Sequence, residues 1–344
     1  MRWKNRPEGS NWGDFGPDDQ VGRLNWLGPD QVKKGVAEVQ EGRSFCLSMP
    51  LDYPGGNVLH PARHPPQRFA TRTPDGLDRY LLPTAEALGS DEFTDVTNDD
   101  RVVLHTQYST QWDALCHVGG LFDADDDGVA EKVFYNGWRA EEHILPGVAC
   151  DDCGGLTATE ATRLGIETMA ETCVQGRAVM IDLHAKFGDA YSDVDFEGLS
   201  ECMTAQGVEV EKGDMVLLHT GWTKLILDAK RDPSHEMLHG TCAALEGRDP
   251  RLQEWIRDSG VVALISDNYA VERAPSRTGE GKRAALPIHE LCLFKLGIPL
   301  GEIWWLGDLA AFFRENGRNR CLLTAPPLRL PGAVGSPTTP VATV

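Results

Sequence analysis

Apolar runs that alternate with amphipathic segments constrain the fold of this chain more than any other feature. Three runs are typical of buried strands: GRAVMIDLH (176–184), GDMVLLHTGW (213–222) and VVALIS (261–266). Helical spacing occurs between them at 195–207 and at 249–260. Asp195 is a plausible N-cap of the first helix, and Gly207 ends it. Helices that alternate with buried strands predict an α/β fold with some parallel strand pairing.

The regions on either side of this alternation have a different character. Residues 1–28 are rich in Gly, Asp, Asn and Trp and predict an ordered irregular arm, followed by a helix within 29–42. Residues 50–101 are rich in Pro, Gly and Arg and show little periodicity. A stretch of this length without regular structure is more often functional than idle, so it is a candidate cover for a pocket.

Composition excludes some classes of function. The 344 residues include 33 Lys and Arg against 52 Asp and Glu, for a formal net charge of −19, which disfavours binding to nucleic acid or to a membrane surface. No apolar window approaches a membrane span, and no signal peptide is evident. Nine cysteines without a disulfide framework indicate reduced thiols and a cytoplasmic protein. A lone CxxC, Cys150 and Cys153, lacks the second pair that structural zinc requires, so ordinary packing is the better interpretation.

The stretch QYSTQWDALCH (107–117) carries an unusual density of polar side chains. RVVLHTQYST (101–110) predicts a strand, on which His105, Gln107, Ser109 and Gln111 would share one face. Asp113 would continue that face, and His117 would follow where the chain turns. Burial of such a face without partners costs on the order of several kcal/mol. It is therefore either an exposed strand face or the wall of a polar cleft.

A second polar pair lies far away in the sequence. His289 opens a predicted helix at 287–297, and Glu302 is expected to start the next strand, in the apolar run EIWWL (302–306). Alone, each residue is uninformative. DADDDG (123–128) resembles the start of a calcium loop, but Phe134 stands where a bidentate glutamate is required, so an acidic surface turn is the better interpretation. A Gly-rich phosphate loop after a strand and a GxSxG motif are both absent from the sequence.

Several blocks in order resemble the cyclase family, which includes bacterial kynurenine formamidases, isatin hydrolases and related amide and lactone hydrolases. They run from about residue 11 to about residue 325: NWGDFGPDDQVGRLNWLGPDQVKKGVAEVQEG, STQWDALCHV, VFYNGW, KGDMVLLHTGW and PIHELCLFKLGIPLGEIWWLGDLA. The resemblance implies a single kynurenine-formamidase-like (swivelling β/β/α) domain with a mixed sheet and an N-terminal arm. The expected divisions are an arm and helix at 1–50, a catalytic domain at 51–330 and a tail at 331–344 whose end is loose.

The same resemblance assigns roles to individual residues. Asp113 matches a metal-bridging carboxylate, His117 a catalytic acid or base, and His289 and Glu302 the distal metal ligands, with Glu302 also a candidate for acid–base work. Gln107 and Gln111 fall where the family has two histidine ligands, and Ser109 falls where it has glycine. The predicted metal ligands are therefore Asp113, His289, Glu302, Gln107 and Gln111. Three protein ligands with open positions are usual for a catalytic metal, and the added oxygens shift preference from Zn²⁺ toward Mn²⁺ or Mg²⁺.

These assignments predict a hydrolase that opens a cyclic or N-acyl C–N bond, or a lactone, with water activated by one Mn²⁺ or Zn²⁺ ion. His64, Arg68 and His105 are candidate contacts to a small-molecule substrate. One alternative is a metal-independent hydrolase, lyase or cyclase in which Gln107 and Gln111 donate N–H groups to an oxyanion. Another is a non-catalytic small-molecule-binding protein. The resemblance also implies a homodimer or homotetramer.

Overall fold

The structure is a computed structural model that describes residues 2–149 and 157–344. The CxxC pair, Cys150 and Cys153, lies outside the described residues. The seven described cysteines are all free thiols. Within the described ranges, no helix combines the length and the apolarity that are needed to cross a bilayer.

Strands of the described residues, in chain order, are β1 (Ser44–Cys46), β2 (Gln67–Ala70), β3 (Leu82–Pro83), β4 (Val96–Thr97), β5 (Asp100–Val103), β6 (Gln111–Asp113), β7 (Gly120–Phe122), β8 (Glu131–Val133), β9 (Ile144–Ala149), β10 (Thr157–Ala161), β11 (Gln175–Asp182), β12 (Ser192–Val194), β13 (Met215–His219), β14 (Ala243–Leu245), β15 (Ala263–Ser266), β16 (Leu300–Glu302), β17 (Arg320–Thr324), β18 (Gly335–Pro337) and β19 (Val341–Thr343).

Helices of the same residues are α1 (Pro29–Ala37), α2 (Thr84–Leu88), α3 (Ile166–Glu171), α4 (His184–Phe187), α5 (Phe196–Gln206), α6 (Trp222–Asp228), α7 (His235–His239), α8 (Pro250–Asp258), α9 (Pro287–His289) and α10 (Gly307–Asn316). Helix α9 continues as a π-helix over Glu290–Leu296, and 3₁₀ turns occupy Gly22–Trp26 and Tyr135–Gly137.

A nine-stranded mixed sheet in the described residues organises the molecule, in the order β1-β19-β17-β11-β13-β15-β16-β6-β18. The four central strands β11, β13, β15 and β16 run parallel to one another. The strands that flank them pair antiparallel. The central strands are buried on both faces, which is why their sequences are continuous apolar runs rather than alternating ones. The predicted α/β fold with a mixed sheet is confirmed.

Most of the predicted elements in the alternating region are confirmed. The strands predicted at 176–184, 213–222 and 261–266 correspond to β11, β13 and β15. Asp195 caps α5 by accepting a hydrogen bond from the Gly198 N–H, and Gly207 ends that helix in the left-handed conformation. The helix expected at 29–42 is present but shorter, and α1 ends at Ala37.

The strand predicted at 101–110 is confirmed only over its first three residues. Strand β5 ends at Val103, and regular pairing resumes only at Gln111, the first residue of β6. Between them the chain turns, with the Tyr108 N–H bonded to the His105 carbonyl at 3.1 Å. The Ser, Thr and Gln side chains of this stretch hydrogen-bond locally, which competes with strand pairing. His105, Gln107 and Ser109 therefore do not share a strand face with Gln111.

Two predictions near the end of the chain are also wrong. Glu302 ends β16 instead of starting a strand, because Ile303 adopts a left-handed conformation (φ 58°) that turns the chain. The end of the tail is not loose, since β18 pairs with β6 and β19 pairs with both β17 and β1. Backbone hydrogen bonds to two strands hold the last residues, and Val344 is fully buried.

Candidate metal and catalytic site

Two neighbouring strands of the main sheet position the first part of the site. Strands β16 and β6 are antiparallel, with Glu302 opposite Gln111 and Leu300 opposite Asp113. Residues that are paired across strands, or two apart along one strand, project from the same face of a sheet. The side chains of Gln111, Asp113 and Glu302 therefore converge on one face, and all three are buried.

His289 completes the group from the helix that covers this face. It lies in α9, and its Nε2 atom is 3.2 Å from Glu302 Oε1 and 3.9 Å from Asp113 Oδ2. One ligand atom from each of Asp113, His289 and Glu302 lies within 4.8 Å of the others, the spacing of ligands around a shared ion. The structure thus brings together four of the five predicted metal ligands, since Gln111 Nε2 lies 2.9 Å from Glu302 Oε2.

Glu272 fixes the orientation of the His289 ring. Glu272 Oε1 is 2.9 Å from His289 Nδ1 and also accepts the His289 backbone N–H, while Oε2 accepts the N–H of Ile288. A carboxylate acceptor at Nδ1 keeps the proton on that nitrogen and leaves Nε2 free to bind a metal. Glu272 is therefore a positioning residue for the proposed ligand His289.

The unpartnered atoms of the site fit a cation. Asp113 Oδ2 and Gln111 Oε1 are buried and find no hydrogen-bond partner within residues 2–149 and 157–344, and Glu302 Oε1 makes no well-aligned hydrogen bond there although His289 Nε2 lies 3.2 Å away. Buried polar oxygens without partners are rare in native proteins and call for an explanation such as a bound ion. All three are oxygen acceptors, and with His289 Nε2 they form a donor set suited to a divalent cation.

The charges of the buried side chains also fit a bound cation. Burial and the adjacent Asp113 carboxylate raise the pKa of Glu302 above its usual value despite the opposing effect of His289. Burial alone would lower the pKa of His289, but Glu272 and Glu302 outweigh it and raise that pKa to about 10. Without a metal, a proton on His289 offsets the surplus of buried negative charge. A divalent ion would supply that positive charge instead.

His117 stands at the open side of this group. Its Nε2 atom is 3.8 Å from Asp113 Oδ1, and 22% of its side chain is exposed, whereas Asp113 is fully buried. Burial lowers the pKa of His117 below its usual value, against the opposing charge of Asp113. The imidazole is therefore neutral near pH 7 and able to accept a proton.

The two glutamines lie beside the group with different hydrogen bonds. Gln111 Nε2 donates to Glu302 Oε2 at 2.9 Å and to Asp113 Oδ1 at 3.4 Å, so it ties the two carboxylates together. Gln107 Oε1 instead accepts a hydrogen bond from the Thr106 hydroxyl at 2.8 Å. Their predicted roles as metal ligands remain predictions, and Gln111 is the one whose amide oxygen is free.

The predicted substrate-binding residues His64, Arg68 and His105 lie at the surface. His105 Nδ1 is 3.1 Å from both the backbone nitrogen and the backbone oxygen of His64, and both residues are exposed. Arg68 is exposed on β2. Arg63, which sequence reasoning missed, lies closer to the site because its guanidinium donates to the Gln107 carbonyl at 2.9 Å.

Glu272 was also missed, although a signal was available. It lies six residues after the end of β15, and loops at the carboxyl ends of parallel strands are where α/β proteins place their functional groups. The stretch DNYAVER (267–273), which directly follows this buried strand, contains Glu272 at such a position.

Backbone strain flanks two of the site carboxylates. Val271 precedes Glu272 with φ 59°, and Ile303 follows Glu302 with φ 58°. A β-branched residue is a conformational outlier in this region and persists only where its surroundings enforce it. Asn268 supplies that enforcement for both: its carbonyl accepts the Ile303 N–H at 2.9 Å, and its Oδ1 accepts the Val271 N–H at 2.7 Å.

We expect Asn268→Ala to weaken metal binding and stability together. The change removes the acceptor of the buried Val271 N–H and the donor to the Ala243 carbonyl, and it should lower the free energy of unfolding by about 3 kcal/mol. Chemical denaturation and Mn²⁺ titration by calorimetry would measure the two effects. Asn316→Ala, which removes a side-chain hydrogen bond to Phe312 in α10, should leave Mn²⁺ affinity unchanged. Equal Mn²⁺ affinity in both variants would contradict this role of Asn268.

The acidic stretch 123–128 forms a turn away from this group. Asp123, Asp125 and Asp127 lie close enough to share a cation. However, Asp123 accepts the N–H groups of Asp127 and Gly128, and Asp125 lies 3.5 Å from Arg139. These are the interactions of an acidic surface turn.

Comparisons with known proteins agree with this fold. The Cyclase family model matches residues 46–273, which include Asp113, His117 and Glu272 but not His289 or Glu302. The comparison with curated proteins found no match. A solved structure described as a novel cyclase is 29% identical over 97% of each chain, with a TM-score of 0.72.

More distant structures share the architecture. Isatin hydrolase A from Ralstonia solanacearum is 14% identical over 87% of this chain and 91% of its own, with a TM-score of 0.53. Isatin hydrolase A from Labrenzia aggregata is 14% identical over 91% of this chain and 97% of its own, with a TM-score of 0.52. These two show similarity of fold. Because the family model covers more than half of the sequence, the chain belongs to the Cyclase family.

Proposed function

We propose that this protein is a metal-dependent hydrolase that opens the C–N bond of a cyclic or N-acyl amide, or a lactone. The observation that carries the proposal is the convergence of three buried candidate ligands, Asp113, His289 and Glu302, with the Asp113 Oδ2 atom left without a hydrogen-bond partner among the described residues. The family and the fold shared with isatin hydrolase A support the reaction class.

The residues present fit one divalent ion. Asp113, His289 and Glu302 would hold it, and Gln111 Oε1 would contribute a further oxygen. A set with one nitrogen and several oxygens can hold Mn²⁺ or Zn²⁺, and its oxygen-rich composition favours Mn²⁺. Such an ion polarises a carbonyl group and lowers the pKa of bound water to about 7.

The chain itself supplies the proton transfers. His117 accepts the proton that the water loses as its oxygen attacks the substrate carbonyl carbon. When the bond to the leaving nitrogen or oxygen breaks, His117 returns that proton to the leaving atom, so protons balance over the cycle. Gln111 holds Glu302 and Asp113 in place through its amide N–H groups.

Metal content is the decisive test. Elemental analysis of protein purified without chelator should find about one Mn²⁺ or Zn²⁺ per chain, and a screen of cyclic amides, N-acyl amides and lactones should find chelator-sensitive hydrolysis. Turnover that is insensitive to chelator would favour the metal-independent enzyme. Ligand-induced thermal stabilisation without product would favour a binding protein.

We expect His117→Ala to lower turnover strongly and to leave metal binding intact. The loss of a general acid–base group costs about 10²- to 10⁴-fold in kcat. Because His117 lies outside the three-ligand cluster, the affinity for Mn²⁺ should remain within about threefold, a difference well below 1.4 kcal/mol. The control His235→Ala changes an exposed histidine of α7 and should leave both quantities unchanged. A His117→Ala protein with full kcat would refute the assigned role.

We also propose a homodimer or homotetramer with a small-molecule substrate, on the basis of the family alone. Light scattering of the purified protein would measure the oligomeric state.

A further inference from the structure

We propose that the side-chain amide of Gln107 donates a hydrogen bond to the carbonyl oxygen of the substrate, and to the negative charge that develops on that oxygen during hydrolysis. This inference rests on the proposed function. It assigns Gln107 a catalytic role as a donor to substrate, in place of the metal-ligand role that its position in the motif suggests.

The orientation of the Gln107 amide supports this role. Its Oε1 atom accepts the hydroxyl of Thr106 at 2.8 Å, so the amide oxygen is already engaged. Its backbone carbonyl accepts a hydrogen bond from the Arg63 guanidinium at 2.9 Å. The backbone carbonyl and the side-chain oxygen of Gln107 are therefore both engaged, and only the Nε2 group is left to bind a ligand.

The Nε2 atom of Gln107 lies on the same side of the sheet as the candidate metal ligand Asp113. A Cβ atom on Gly335 would collide with Nε2, so a larger residue at this position of β18 would displace the amide. Gly335 pairs with Asp113 across the antiparallel strands β18 and β6. Paired residues project from the same face, so the amide of Gln107 occupies the space beside the Asp113 side chain.

Nε2 also lacks a partner. It is buried and makes no hydrogen bond to any of the residues that the structure describes. A buried N–H group that is left unsatisfied destabilises the folded protein, which argues that a ligand or water accepts its hydrogen bond. An N–H group cannot bind a cation, but it suits a carbonyl oxygen that gains negative charge.

The two glutamines of the motif therefore face the site with opposite chemistry. Gln111 uses its N–H groups on Glu302 and Asp113 and presents a free oxygen. Gln107 uses its oxygen on Thr106 and presents a free N–H group. One amide is suited to the ion, and the other is suited to the polarised oxygen of the substrate.

The test separates these two roles with matched variants, Gln107→Leu and Gln111→Leu. Calorimetry measures the affinity of each protein for Mn²⁺, and then the affinity of the Mn²⁺-loaded protein for acetohydroxamate, a probe that presents a carbonyl oxygen to a metal. We expect Gln107→Leu to bind Mn²⁺ within about twofold of the wild type and acetohydroxamate roughly 10- to 100-fold more weakly. We expect Gln111→Leu to lose Mn²⁺ affinity itself.

A second substitution guards against misfolding. Gln107→Glu keeps the shape of the side chain and the acceptor for Thr106 but removes the N–H donor, so it should also weaken acetohydroxamate binding. Loss of Mn²⁺ affinity in Gln107→Leu equal to that in Gln111→Leu would make Gln107 a ligand and overturn the inference. Unchanged acetohydroxamate affinity in both Gln107 variants would also overturn it, as would a wild type that binds Mn²⁺ but not acetohydroxamate.

The failure of the proposed function gives a different result. A wild-type protein that binds neither Mn²⁺ nor Zn²⁺ contradicts the hydrolase proposal directly, and the role of Gln107 falls with it. If the protein binds Mn²⁺ and hydrolyses an amide, but the Gln107 variants bind acetohydroxamate as tightly as the wild type, only the role of Gln107 is contradicted.

Discussion

Replacement of Asp113 by asparagine is expected to eliminate metal binding and to reduce turnover by about 1,000-fold or more, because the ion contributes several kcal/mol to the transition state. Asp113 is fully buried, and its Oδ2 atom has no hydrogen-bond partner among the described residues. Saturating Mn²⁺ at about 100 times its Kd stabilises a folded protein by about 2.7 kcal/mol. We expect this stabilisation in the wild type and not in Asp113→Asn.

Without metal, Asp113→Asn should not lower the free energy of unfolding. The Asp113 carboxylate raises the pKa of Glu302, which means that the two buried charges repel each other. Asp113→Asn removes one of these charges without changing the size of the side chain. The metal-free variant should therefore be at least as stable as the metal-free wild type, a signature of a residue kept for binding and not for folding.

Asp125→Asn provides the control, since Asp125 belongs to the acidic surface turn and not to the ligand cluster. Its Mn²⁺ affinity and turnover should equal those of the wild type. Metal-induced stabilisation in Asp113→Asn that matches the wild type would contradict the proposed metal site. Calorimetric metal titration and thermal unfolding with and without Mn²⁺ measure all of these outcomes.

Replacement of Glu272 is expected to lower both folding stability and metal affinity, although Glu272 is not itself a proposed ligand. Glu272→Ala removes the acceptor of three hydrogen bonds, from Ile288 N, His289 N and His289 Nδ1. Removal of one partner from a buried charged pair costs about 3–5 kcal/mol of folding stability. The milder Glu272→Gln keeps an acceptor but loses the charge, and we expect Mn²⁺ affinity to fall about 10- to 100-fold.

Asp182→Asn provides a matched control for this effect. Asp182 holds His219 Nδ1 at 2.7 Å, as Glu272 holds His289, but this second pair lies outside the ligand cluster. Asp182→Asn should lower stability and leave Mn²⁺ affinity intact. If Glu272→Gln lowers stability but not Mn²⁺ affinity, Glu272 supports the fold alone and does not position His289.

The sequence by itself indicates the central strands and helix α5, because these elements depend on the burial pattern and the hydrogen bonds of residues that are close in sequence. Strands β11, β13 and β15 are buried on both faces, so their sequences are apolar throughout and stand out from the helices between them. Asp195 and Gly207 bound α5 through hydrogen bonding and backbone conformation that are confined to a few residues. Such features need no knowledge of distant parts of the chain.

The candidate ligands were accessible from the sequence through a motif and a family resemblance. Asp113, His289 and Glu302 were predicted together, and the structure brings them within 4.8 Å. The turn over residues 104–110 was not predicted, because the alternation of side chains there is equally compatible with a strand. The end of the tail was not predicted either, because its order comes from pairing with strands that lie far away in sequence.

Tertiary structure alone decided what each polar group of the site does. The sequence contains Glu272, Gln107 and Gln111, but it does not specify which atom of each side chain is engaged. The contacts of Glu272 with His289, of Gln111 with Glu302, and of Gln107 with Thr106 determine which atoms remain free to bind. The physical reason is that a buried polar group acts through the atoms its neighbours leave unsatisfied, and most of those neighbours come from distant segments.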